Sequence, residues 1–230
     1  MLTALLRLWG TYVLRPVLGN LATLLFAASL ISGGAGHAAP VTIVALGDSL
    51  TQGYGLPEGD GLVPQLQALL DPDGAEIRLI NAGVSGDTSA GGLARIGWTL
   101  QRDPDALIVA LGGNDLLSGL DPDLTRANIT GILEAARAKG IPVLLVASTA
   151  PGNYGPDYQD RFDAIWGDLA AEFNAMLHRG FMDVLTEGRT PSEVLANYLQ
   201  ADGLHPNRDG VALIAADLAP FVRQLADSAR

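Results

Sequence analysis

Four short segments hold the residues that could do chemistry in this chain: Gly47-Asp48-Ser49-Leu50, Ser85-Gly86-Asp87, Gly112-Gly113-Asn114-Asp115 and Asp202-Gly203-Leu204-His205. Together they offer a hydroxyl nucleophile, backbone and carboxamide N–H donors for an oxyanion, and a histidine base with an acid three residues before it. Those are the parts needed for acyl transfer through a serine. A serine hydroxyl is inert until a base takes its proton, so the chemistry depends on whether these segments meet.

The base follows by elimination among three histidines. His37 lies in an N-terminal stretch that reads as removable. His178 has Arg179 as its neighbour and no acid close in sequence, so it reads as a surface or core-edge residue. His205 has Asp202 three residues earlier, and a tight turn of that length lets the carboxylate accept from Nδ1 while Nε2 faces a serine. Each residue also has a plainer reading when taken alone. Ser49 could be a helix N-cap, Asp202 a turn former before Gly203, Gly86 a turn residue and Asn114 an Asx-turn residue. As oxyanion donors, Gly86 would present a bare amide and Asn114 its side-chain NH₂, beside the amide of Ser49 itself.

The elements that must position these residues turn the balance toward chemistry. Apolar runs of strand length alternate with longer amphipathic stretches from Val41 to Leu225, which is the α/β pattern. Strands are expected over 41–46, 76–80, 106–111, 143–148 and, more weakly, near Phe181-Met182. Helices are expected at about 62–70, 91–100, 124–139, 161–173 and 209–225. The near-continuous apolar character of 41–46 fits a parallel strand covered on both faces. The fold class is therefore α/β, a three-layer α/β/α sandwich with a five-stranded parallel sheet. The Ser49, Gly86 and Asn114 segments directly follow the first, second and third strands, at the carboxyl edge where open α/β sheets bind ligands.

Composition narrows the function classes. The chain has 230 residues and a formal charge of −11, and Arg7 and Arg15 are its only charges before Asp48. An apolar run from about Val17 to Ile31 ends in Gly36-His37-Ala38, with small residues at −3 and −1 of a cut after Ala38. Residues 1–38 are thus expected to be a signal peptide and 39–230 one hydrolase domain, exported to the periplasm or secreted, with no stable membrane insertion after cleavage. A retained anchor is the alternative. Removing the two arginines takes the charge from −11 to −13, and Lys139 is the only lysine, so nucleic acid is not an expected partner. The absence of cysteine excludes disulfides, thiolate metal sites and a cysteine nucleophile.

The four segments, in this order, resemble the blocks of the SGNH or GDSL hydrolase superfamily, and the similarity runs through nearly all of 39–230. The resemblance implies a flavodoxin-like strand order 2-1-3-4-5. It implies Ser49 as nucleophile with Asp202 and His205 as catalytic partners, and Ser49, Gly86 and Asn114 as the oxyanion hole. Asn81 to Thr88, Pro151-Gly152-Asn153-Tyr154-Gly155, Phe162, Ile165 and Ala171-Glu172-Phe173 are similar to the bacterial periplasmic acyl-CoA thioesterase I, lysophospholipase and arylesterase group. The implied activity is cleavage of carboxylic esters and thioesters through an acyl-serine, with no cofactor and no metal, on a small acyl ester, thioester or lysolipid. A carbohydrate O-acetyl esterase of the same superfamily is the nearest alternative. A metal-dependent phosphoesterase using Asp48, Asn114, Asp202 and His205, or an exported non-catalytic binding module, would be of another kind. Residues 174–200 carry the least resemblance and are expected to help shape the pocket.

Overall fold

The computed structural model describes residues 39–72 and 76–230; the expected signal segment, with His37, lies outside the described residues. In chain order the regular elements are β1 (Val41–Gly47), α1 (Ser49–Gln52), α2 (Leu62–Leu70), β2 (Ile77–Gly83), α3 (Ser89–Thr99), β3 (Ala106–Ala110) and α4 (Gly113–Leu117). They continue with α5 (Pro122–Ala138), β4 (Val143–Val146), α6 (Pro156–Phe173), β5 (Met176–His178), α7 (Phe181–Thr186), α8 (Pro191–Asn197) and α9 (Arg208–Ser228). All strand pairs are parallel and the order is β2-β1-β3-β4-β5. The expected class and strand order are both found.

The alternation of side chains along each strand divides the core in two. Ile43 and Ala45 of β1, Ala106 and Ile108 of β3 and Leu144 and Val146 of β4 pack on the side of α2, α7, α8 and α9. Val44 and Leu46, Leu107 and Val109, and Val143 and Leu145 pack on the other side, against α3, α5 and α6. Because both faces are covered, the central strands read as continuous apolar runs, and their period of two is invisible in the letters. Truncating a residue such as Ile132 or Phe162, both fully buried, removes transfer energy and leaves a cavity, at a cost of about 2 to 5 kcal/mol.

Two local expectations are corrected. The fifth strand is Met176–His178, and the Phe181-Met182 pair opens helix α7. Gly180, at φ +120°, breaks the chain between them. Helix α6 begins five residues before the expected position, with Pro156 in its first turn, where a missing N–H costs nothing. The short helix α8 is set by a capping box in which Thr190 Oγ1 accepts from Glu193 N and the Glu193 carboxylate accepts from Thr190 N.

The register brings the functional loops together. Gly47 of β1 lies opposite Gly83 of β2 and Ala110 of β3, so these three strands end level and release their loops side by side. Helix α1 crosses close above this edge. A Cβ on Gly83 would stand 2.3 Å from Gln52 N, so a side chain there would push α1, and with it Ser49, off the sheet. Among the described residues, no helix is long and apolar enough to cross a membrane.

Candidate active site

Ser49 opens α1 directly after β1, with Asp48 as the helix N-cap accepting from Leu50 N at 3.0 Å. The Ser49 side chain therefore projects from the sheet edge, and its Oγ lies 2.9 Å from His205 Nε2. His205 Nδ1 in turn lies 2.7 Å from Asp202 Oδ2. The other carboxylate oxygen, Oδ1, accepts from the Leu204 and His205 amides at 2.9 and 3.0 Å. These N–H bonds, that of His205 first, hold the Asp202 carboxyl down to about 2, so it stays anionic and keeps accepting from the ring.

The turn that carries the acid and the base is closed on itself. Leu199 and Pro206 form an isolated antiparallel bridge, with Gln200 N donating to His205 O and Asn207 N donating to Tyr198 O, both at 2.8 Å. The Gln200 carboxamide donates to Tyr54 O at 2.8 Å and Pro206 O at 2.9 Å, tying the turn to the loop after α1. Tyr54 packs its ring against His205, with centroids 4.6 Å apart. Asn207 then caps α9 by accepting from Asp209 N and Gly210 N.

Gly86 stands in the loop after β2 and Asn114 in the first turn of α4, just after β3, and both line the same pocket as Ser49 and His205. Gly86 has φ +82°, and a Cβ there would meet no protein atom within 4 Å. Its backbone conformation, and not crowding, requires glycine. Asn114 Nδ2 donates to Asp87 O at 2.8 Å and approaches Asp48 Oδ2 at 3.4 Å. Burial raises the Asp48 carboxyl to about 6, against its bond to Leu50 N and the attraction of His205.

Several positioning residues escaped the sequence reading. Arg95 of α3 pairs with Asp87 at 2.6 Å and donates to Ala82 O and Gly47 O at 2.7 and 2.9 Å, linking the ends of β1 and β2 to the Gly86 loop. Its signal was a lone cation in a helix otherwise made of small and apolar residues. Asp115 is fully buried and accepts from Ser89 N at 2.7 Å, from Thr125 Oγ1 at 3.2 Å and from Ser89 Oγ. That carboxylate ties α3 and α5 to α4, which carries Asn114.

His178 corrects the sequence reading. It is fully buried, with no exposed surface, and Nε2 lies 2.8 Å from Asp217 Oδ2 of α9, while Nδ1 accepts from Gly180 N at 3.1 Å. The acid missing from its sequence neighbourhood is supplied 39 residues later. Burial first, and Arg179 less so, pushes its pKa below 6.5 against the pull of Asp217.

The pocket around Ser49 holds about 420 Å³. Leu50, Leu111, Leu116, Leu117, Val146 and Phe181 make it largely apolar. Of the less familiar stretch 174–200, it is Phe181, Met182 and Asp183 that reach the pocket. A serine bonded to an imidazole that is bonded to a carboxylate, beside an apolar pocket with N–H donors, is an arrangement suited to attack on an acyl carbon.

The fold and this geometry together define a serine hydrolase of the doubly wound α/β kind. The chain belongs to the GDSL-like lipase/acylhydrolase family, whose model matches residues 45–213. It is similar to the esterase TesA of Pseudomonas aeruginosa, with 39% identity over 171 residues that cover 74% of this chain and 82% of the relative. It is 37% identical to the thioesterase 1/protease 1/lysophospholipase L1 of Escherichia coli strain K12, over 82% of this chain and 86% of the relative. The crystal structure of a psychrotrophic esterase EstA from Pseudoalteromonas sp., inhibited by monoethylphosphonate, superposes with a TM-score of 0.72 at 32% identity. That match covers 80% of this chain and 97% of the other.

Proposed function

We propose that this protein hydrolyses small carboxylic esters and thioesters through an acyl-serine intermediate formed on Ser49. The single observation that carries the reading is the continuous relay from Ser49 Oγ through His205 to Asp202, at 2.9 and 2.7 Å. His205 takes the Ser49 proton as the oxygen attacks the acyl carbon, then delivers it to the departing alcohol or thiol. In the second half it activates water against the acyl-serine, which restores the hydroxyl and releases the acid. Asp202 holds the ring tautomer and stabilises the imidazolium.

The Ser49 and Gly86 amides and the Asn114 carboxamide receive the oxyanion. The Asn114 contact to Asp48 is long for an N–H bond, which leaves that N–H available to a better acceptor, while the bond to Asp87 O fixes the plane of the amide. The names of the relatives support both ester and thioester substrates, since the tetrahedral intermediate is common to the two. Residues 1–38 act as an export signal in this reading, on their apolar run and small-residue end.

The test is covalent. A fluorophosphonate probe should add one adduct by intact mass, and peptide mapping should place it on Ser49. An adduct on Ser85 or Ser89, or turnover that survives Ser49→Ala, would remove the assignment.

A further inference from the structure

Apart from the base His205, the ionisable acid–base side chains that charge the pocket wall are carboxylates: among the described residues, Asp48 and Asp183 line it and no lysine or arginine does. Arginines near the lining residues in sequence are engaged elsewhere. Arg179 pairs with Glu187 and Asp217, Arg208 with Asp60 and Arg95 with Asp87, and Arg189 donates to the carbonyls of Val184 and Leu185. The whole chain carries −11, so the long-range field adds to the local one.

Asp48 stands against Asn114, so Asp183 is the pocket carboxylate bonded to neither the relay nor Asn114. It sits in the first turn of α7, and its Oδ2 accepts from Thr149 Oγ1 at 2.8 Å, from the loop after β4. Thr149 and Asp183 both line the pocket, beside the apolar Phe181 and Met182. The hydrogen bond across two elements fixes the carboxylate in the pocket wall. The Debye length at physiological salt is about 8 Å, so charge on a bound substrate within that distance of Asp183 is felt before solvent ions screen it.

We infer that Asp183 makes this pocket select substrates by charge. It favours esters and thioesters whose leaving group is neutral or bears a quaternary ammonium near the scissile bond, over those bearing a phosphate there. The inference rests on the reading of this pocket as an ester-cleaving site. The apolar lining takes the acyl chain whatever the leaving group, so the charge term acts on the group that differs between substrates.

Three octanoyl esters test it: the choline ester, its uncharged carbon isostere the 3,3-dimethylbutyl ester, and the ester of 2-hydroxyethyl phosphate. In low salt, kcat/KM should fall in that order. The first step should be between about twofold and thirtyfold, the range for one unit charge at roughly 8 Å with an effective dielectric of about 80 down to 20. The second step should be larger, because a phosphate monoester carries about −1.5 to −2 at pH 7. Added sodium chloride should compress both ratios. Asp183→Asn, which keeps the shape and can still meet Thr149, should shrink both ratios, and Asp183→Lys should invert the order of the two charged esters. Equal rates for the phosphate and uncharged esters, or ratios unchanged in Asp183→Asn, overturn the inference while leaving the hydrolase reading standing. If the folded wild-type protein cleaves none of the three, the hydrolase reading falls and this inference falls with it.

Discussion

Among the described residues there are two histidine–aspartate pairs, and their difference bears on the proposal that one of them is a proton relay. His205 and Asp202 are three residues apart on a surface turn; His178 and Asp217 are joined across β5 and α9. The contact distances are 2.7 and 2.8 Å, so pairing alone does not distinguish them. The second ring nitrogen does. On His205 it meets a serine at the edge of a pocket, and on His178 it accepts from the amide of Gly180 inside the fold. With both nitrogens occupied by the protein itself, His178 has no atom left to exchange a proton with a substrate. It fastens the start of α7 to α9.

The sharpest way to break the comparison is to remove each ring in turn. His205→Ala should lower kcat by about 10⁴- to 10⁶-fold while thermal unfolding changes little, since the ring stands at a pocket edge. His178→Ala should do the reverse, as quantified below. Equal losses of kcat in the two variants, measured on folded protein, would mean that the two pairs are not functionally distinct.

A smaller effect separates the oxyanion donors from the relay. Asn114→Ala should cost about 10²- to 10³-fold in kcat with a weaker effect on KM, because the bond strengthens only as charge develops. Asn114→Asp should be worse, since a carboxylate repels the oxyanion. A near-normal kcat in Asn114→Asp would make the residue a turn former held by Asp87 and nothing more.

For His178→Ala the expected loss is about 1 to 3 kcal/mol of stability by chemical denaturation, for a buried polar contact and its packing. Folded molecules should retain most of their activity. A pH effect should accompany it. Burial keeps the folded ring's pKa below 6.5, so the contribution of His178 is whole above about pH 6.5 and is lost as pH falls toward the folded value. Asp48 runs the other way. Its pKa is raised from 3.8 to about 6, so its buried charge is a cost above pH 6 that is relieved as pH falls toward 3.8. Both proteins share Asp48, so the difference between their curves isolates the ring. Between pH 7.5 and 5.5 the wild type should lose more stability than His178→Ala, and parallel curves would count against a neutral buried imidazole.

The same two histidines mark how far the sequence could be read. The Ser49–His205–Asp202 contact chain, the proposed relay, was legible because Asp202 lies three residues from His205 and Ser49 follows an unmistakable central strand. Strand order was legible only through resemblance, since nothing local says which parallel strand lies beside which. Asp217 was not legible as a partner because a contact across 39 residues leaves no local spacing. The fifth strand was misplaced for a physical reason. It is three residues long, with Leu177 exposed, and its short apolar run Ala175-Met176-Leu177 stands out no more in sequence than Phe181 and Met182, which are apolar because they build the pocket wall. Arg95 and Asp115 were passed over because charge inside a fold is recognised by its partners, which only the folded chain supplies.

The bridge between Leu199 and Pro206 separates what this chain can inherit from what it can vary. Asp202 and His205 sit on a small ring of backbone that closes before the chain runs back into α8 and α7, and Gln200 pins the ring to Tyr54. The turn that places the proposed relay is therefore closed by its own backbone bonds rather than by α7, which carries Phe181, Met182 and Asp183. Mutation can resculpt that wall, lengthen it or change its charge without disturbing the chemistry next door. A lineage built on this plan can drift from one diet of acyl compounds to another while passing on the same reaction intact.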